Sequence, residues 1–136
     1  MQRLVIAMTA AALAVAAAGC GQGAARDDAR AVTERFYAAA AAGDGALACA
    51  QLASATRSSL VQQERAPCPQ AVGELELGEG GVERVQVAIT AAQVALRDGE
   101  VAFLDEGPDG WRLSAVGCRF EDGDPRSHPA TCEAEA

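Results

Sequence analysis

Few residues in this chain have side chains suited to chemistry, and they are scattered. They are five cysteines (Cys20, Cys49, Cys68, Cys118 and Cys132), one tyrosine (Tyr37), one histidine (His128), the adjacent acids Asp105 and Glu106, and an acidic run of Glu121, Asp122 and Asp124. Two carboxylates can share acid–base work when burial drives their pKa values apart. Asp105 and Glu106, however, end a strand pattern, and successive strand residues face opposite ways. They are therefore expected to be turn carboxylates in water. Tyr37 would act as an acid only if it faced a cavity; the expectation is a packing residue with its hydroxyl at the rim. Trp111 has the choice of stacking on a ligand or anchoring the last strand, and the second is expected. The acidic run lacks the full oxygen series of a calcium loop and reads as solvated. His128, beside Pro129, reads as exposed. With no CxxC spacing and one histidine, a zinc site is not expected. Neither a phosphate-cradling glycine loop nor a G-x-S-x-G elbow is present. The sequence thus nominates no catalytic residue, no metal ligand and no cofactor.

Charge narrows the partners. The 136 residues include 19 acidic and 11 basic ones for a net charge of −8, and every basic residue is an arginine. Such a chain repels phosphate backbones, so nucleic acid is not an expected partner. Electrostatic docking on anionic lipid is disfavoured for the same reason. Membrane attachment would need an apolar anchor, and the first residues offer one. Arg3 is followed by about 15 uncharged, mostly apolar residues, Leu4 to Ala18, then Gly19 and Cys20. That is the charged head and apolar middle of an export signal, too short to span a bilayer comfortably. Its end, Ala17-Ala18-Gly19-Cys20, resembles a lipobox, where a signal peptidase cuts before a cysteine carrying a diacylglyceryl thioether. Ala17 stands where leucine is usual. The resemblance implies that residues 1–19 are a signal peptide, that Cys20 is lipidated, and that the protein sits on the outer face of the cell membrane. Residues 20–26, with Gly21 and Gly23, then read as a flexible tether.

Cysteine arithmetic is consistent with this. With Cys20 set aside, four cysteines remain, and an exported protein meets an oxidising compartment. Three pairings exist. Cys49–Cys68 and Cys118–Cys132 are expected, because each closes a short loop within one half of the chain.

The elements that must position these residues follow from periodicity. Asp27 and Asp28 read as N-caps of a helix to about Ala42, with Ala29, Val32, Phe36 and Ala40 on one face. Gly43 ends it and Asp44 caps a second helix, about Gly45–Ala53, offering Leu47, Cys49 and Ala50 for burial. Ser54 starts a third, carrying Leu60 and Val61 to Glu64, and Pro67 and Pro69 follow it. Residues 73–81 read as a loop. From Val82 the period changes to two: Val85, Val87 and Ile89 alternate with polar or small residues, then Val94 and Leu96, then Trp111, Leu113 and Ala115. Asp98-Gly99 predicts a two-residue hairpin that pairs Arg97 with Glu100, Leu96 with Val101 and Val94 with Phe103. The inward set is then Val85, Val87, Val94, Leu96, Phe103 and Leu113. The fold class is α+β: N-terminal helices covering one face of a curved, antiparallel, four-stranded meander. An acidic tail, 121–136, is irregular in this reading and pinned by Cys132.

A long helix with Phe36-Tyr37, the Gly43-Asp44 break, Cys49-Ala-Gln-Leu52 with Thr56, Leu60 and Cys68 following, and a meander ending in Gly110-Trp111-Arg112-Leu113 resembles the NTF2-like (SnoaL-like) superfamily. It is most similar to small extracytoplasmic lipoproteins of actinobacteria that carry such a domain. The resemblance spans about residues 27–120 and rests on the order of weak motifs. It implies a sheet curled into a cone. Some members are isomerases or dehydratases and many are non-catalytic. Because the inward strand residues here are apolar, the expected function is a non-catalytic module, membrane-anchored through lipid, that binds a partner protein or a small apolar ligand. The alternatives are an NTF2-like enzyme on a hydrophobic substrate and a purely structural envelope lipoprotein.

Overall fold

The computed structural model describes residues 20–121 and 130–136. Four helices come first: α1 (Cys20–Ala41), α2 (Gly45–Gln51), α3 (Ser54–Glu64) and α4 (Cys68–Val72). Strands β1 (Val82–Ala88), β2 (Ala91–Leu96), β3 (Val101–Gly107) and β4 (Gly110–Phe120) follow as an antiparallel meander. Two short tail strands, β5 (Ala130–Thr131) and β6 (Ala134–Glu135), add to the free edge of β4. The class is α+β, and among the described residues the sheet is open: β1 has β2 as its one neighbour.

The first helix departs from expectation at its start. Residues 20–26, read as a tether, form its first two turns. Ala24 and Ala25 favour a helix, and Ala25 packs against the core. Extending an existing helix adds one hydrogen bond per residue fixed, which offsets a cost of about 1 kcal/mol for each of Gly21 and Gly23. Asp27 and Asp28 are therefore interior residues, not caps. Asp44 does cap α2, its Oδ1 accepting from Leu47 N at 3.1 Å. That helix buries Ala48, Cys49 and Gln51, while Leu47 stays 41% exposed and Ala50 faces water. On α3, Leu60 is buried and Val61 is not. Arg65, in the left-handed region at φ 53°, ends that helix. The prolines beside Cys68 then start α4, where a missing N–H is tolerated.

The β2–β3 hairpin differs by one residue from the sequence reading, with consequences for both faces. Gln93 pairs with Phe103, Val94 with Ala102 and Ala95 with Val101. Leu96 N donates to Glu100 O at 2.8 Å, so the loop has three residues, Arg97, Asp98 and Gly99, with Gly99 at φ 87°. A three-residue loop closing on a left-handed glycine is a favoured hairpin connection. A slip of one residue exchanges faces. Phe103, expected inside, lies on the face away from the helices, and Glu100 goes in. The first hairpin also turns earlier than the alternation suggested. Ala88 pairs with Ala91, leaving Ile89 and Thr90 as the turn. On β4, Ser114 is an extra residue between the Leu104–Leu113 and Phe103–Ala115 pairs. This bulge moves Ala115 to the outer face and Val116 to the inner one.

The core between helices and sheet is filled by Phe36, Leu52, Leu60, Leu96, Leu104 and Leu113, each almost wholly buried. Trp111 belongs to it, in the anchoring role expected. A smaller cluster on the other sheet face joins Val101, Ala115 and Cys118 with Phe103, Phe120 and Cys132. The disulfides are Cys49–Cys68, tying α2 to α4, and Cys118–Cys132, tying the tail to β4. The tail is thus partly strand where irregular chain was expected. Replacing Cys49 and Cys68 together by alanine frees a loop of 19-residue separation and is expected to lower stability by about 3 kcal/mol, read as a urea midpoint shift at unchanged slope.

Candidate functional site

The strongest polar constellation lies where α1 crosses the start of β3. Ala29, Val32 and Phe36 bind α1 to the sheet, and the helix carries Tyr37 beside Phe36, the rings edge to face at 5.2 Å. Tyr37 is 3% exposed, and its hydroxyl donates to Glu100 Oε1 at 2.6 Å. The Glu100 side chain is 0% exposed. Its Oε2 accepts from Gly78 N at 2.8 Å and from Arg119 Nη2 at 3.4 Å. Gly117 N donates to the Tyr37 hydroxyl at 3.3 Å. The loop before β1 can pass this close because Gly80 has no Cβ; one built there would overlap the Tyr37 ring. Asp98 completes the turn, its Oδ1 accepting from Glu100 N at 3.0 Å.

An ionised carboxylate removed from water is costly unless donors surround it. Here one hydroxyl, one backbone N–H and one guanidinium do so, and the guanidinium keeps its outer side wet, with the Arg119 side chain 56% exposed. No described buried side-chain N or O atom lacks a partner. The tyrosine responds to the same surroundings. Burial first, then the hydrogen bond to Glu100 and the carboxylate's charge, push its pKa well above the ordinary value near 10. The Gly117 N–H opposes this in part. The phenol is a fixed donor, not a titrating acid. A cleft of about 360 Å³ bordered by Glu83, Asp98 and Arg119 lies beside the cluster, with the carboxylate sealed beneath it.

Among the sequence candidates, only Tyr37 falls here, and it does so with a buried hydroxyl, not one at the rim. Asp105 and Glu106 are exposed at the far end of β3, facing opposite ways opposite Arg112 and Trp111. They border a cleft of about 240 Å³ with Arg57 and Arg112. Glu121 is exposed. His128, Asp122 and Asp124 lie outside the described residues, as do the signal segment and the Cys20 side chain. No three His, Cys, Asp or Glu side chains among the described residues converge as a metal would need. Glu100 was missed because a glutamate after Asp-Gly reads as solvated. Its only signal was that a three-residue loop puts it on the apolar face.

No family model, curated protein or solved structure matches this chain.

Two outcomes follow from the buried pair. Tyr37→Phe leaves Glu100 without its closest donor and is expected to cost about 2 kcal/mol at neutral pH, measured by chemical denaturation. A phenol pKa raised by folding gives stability that is complete below the unfolded-state value near 10 and is lost as pH rises beyond it. As Tyr37 is the one tyrosine, tyrosinate absorbance should appear only with alkaline unfolding; a separate ionisation step of the folded protein at pH 10 would contradict the network.

Proposed function

We propose that the chain is a lipoprotein of the outer face of the cell membrane, anchored through Cys20, whose disulfide-braced NTF2-like domain is a non-catalytic module that binds a protein partner. The observation that carries the reading is the partition of thiols. Four cysteines consume one another in two disulfides, so the fifth, Cys20, has no cysteine of its own chain left to pair with. It follows the small residues Ala17, Ala18 and Gly19, which is where acylation would use it. Among the described residues no helix is long and apolar enough to cross a membrane.

The choice of a protein partner over a small apolar ligand comes from the filled interior. Phe36, Leu104 and Leu113 are almost wholly buried between the helices and the sheet, which speaks against an open apolar cavity there. Available surface lies instead on the outer sheet face. There Gln86, Ala88, Ala91, Gln93 and the half-buried Phe103 line a shallow groove of about 310 Å³. Uncharged glutamine and alanine around one aromatic suit a protein surface, where aromatic anchors carry much of the energy. One observation favours the enzymatic alternative: Glu100 is a buried carboxylate next to a cleft. Its lack of any exposed surface argues against it, because a general base must come within hydrogen-bond reach of the substrate's proton.

Intact mass of the protein purified from membranes should correspond to a chain starting at an acylated Cys20. Cys20→Ser should shift most of it to the soluble fraction. A full-length chain from Met1, or membrane retention unchanged in the serine variant, counts against the anchor. For the binding surface, a partner crosslinked by the wild type should be lost with Phe103→Arg while the fold, followed by circular dichroism, is retained.

A further inference from the structure

We propose that the β1–β2 hairpin tip, Ile89, is a second membrane contact that rests on the apolar layer of the bilayer and orients the domain on its anchor; this depends on the lipidation of Cys20 proposed above. The inference begins with a residue that water does not explain. Ile89 is 93% exposed, the most exposed of the large apolar side chains described. It also holds φ at 56°, in the left-handed region that β-branched residues avoid and that asparagine or glycine would fill without strain. An exposed isoleucine in a strained turn contributes nothing to the core.

Its position in the fold supplies the reason. The meander places the β1–β2 turn, Ile89-Thr90, and the β3–β4 turn, Pro108-Asp109, at one end of the sheet, and Glu106 N joins the two by donating to Thr90 O at 2.8 Å. Helix α1 points toward that end. Its Tyr37 touches Glu100 and Gly117, near the opposite end. Its Asp28, Val32 and Arg35, nearer the N-terminus, border a cleft with Glu106, Gly110 and Trp111. Continuing the helix from Asp28 back to Cys20 extends it by about 12 Å at 1.5 Å per residue. A lipid on Cys20 would therefore enter the bilayer from the end of the domain that carries Ile89. Since helix replaces the expected tether, the domain is not free to turn that end away. Asp105, Glu106 and Asp109 lie at the same end with Arg57 and Arg112, which leaves no excess of positive charge there, so the contact is apolar and not electrostatic, and it should not need anionic lipid.

The test uses the mature, membrane-purified lipoprotein in phosphatidylcholine nanodiscs, with acylation of Cys20 verified by mass. A photo-reactive benzoyl-phenylalanine replaces Ile89 in one sample. In another it replaces Glu83, an exposed residue at the end of β1 far from that turn, roughly 20 Å away. Lipid adducts are expected at position 89 at least about ten-fold above position 83. Equal labelling, or none at 89, on acylated protein overturns the hairpin contact and leaves the anchor standing. Absence of the acyl chain from the purified protein removes both. As an independent measure, Ile89→Asn should keep or raise the melting temperature of the Cys20→Ser chain. A fall of several degrees would show that Ile89 serves the fold instead.

Discussion

The carboxylate of Glu100 is the constraint from which much of the rest of the structure follows. A charge with no exposed surface has to be met by donors from its surroundings, and the donors here come from different parts of the chain. Tyr37 brings α1, Gly78 brings the loop leading into β1, and Arg119 brings the end of β4, while Gly117 steadies the phenol from the bulged part of that strand. Apolar contacts between a helix and a sheet allow small sliding motions; a hydrogen-bonded charge does not, because a displaced donor leaves a buried group unsatisfied. The network therefore fixes how α1 lies on the sheet, which the surrounding alanines, with their small and interchangeable side chains, specify weakly. Two glycine positions, 78 and 80, let the loop come within reach.

The disulfides act at the places this network does not reach. Cys49–Cys68 holds α2 against α4, short helices of seven and five residues that would be marginal alone. Cys118–Cys132 holds the tail on β4, where two strands of two residues each could not pair stably by themselves. The tail thereby covers one sheet edge, a protection against edge-to-edge association. Both bridges close short loops, which is why local spacing was sufficient to anticipate them.

Much of the architecture was legible in the residue pattern for reasons that can be named. Helix α1 shows its apolar face at Ala29, Val32 and Phe36, Asp44 is a cap with a free oxygen, and the change from helical to alternating period falls at Val82, where β1 starts. What escaped was decided by one residue of register. Asp98-Gly99 fits a two-residue turn, and that turn brings Leu96 opposite Val101, an attractive apolar pair. The three-residue turn wins because Glu100, placed inside by it, finds Tyr37 63 residues earlier in the chain and Gly78 22 residues earlier. No local pattern reports partners so distant. The same slip moved Phe103 to the outer face, and so created both the polar cluster and the groove on the opposite side. The start of α1 was misjudged for a different reason: two glycines weigh against a helix locally, whereas Ala25 packing on the core favours it.

The stiffness of that helix start changes what an anchor at Cys20 would mean. A flexible tether of seven residues would let the domain present any face to the bilayer, and only proximity would be gained. A helix that runs without a break from Cys20 into the core converts a point attachment into an orientation. With Cys20 acylated as proposed, it would put the Ile89 and Pro108 turns toward the lipid and the β2–β3 turn, with Glu100 and Arg119, away from it. In that orientation the outer sheet face around Phe103 would stand at the side of the domain, clear of the membrane and open to the proposed partner. An uncharged patch on a strongly acidic chain is where such a partner would meet the least repulsion, since the carboxylates that keep the rest of the surface soluble are absent from that groove.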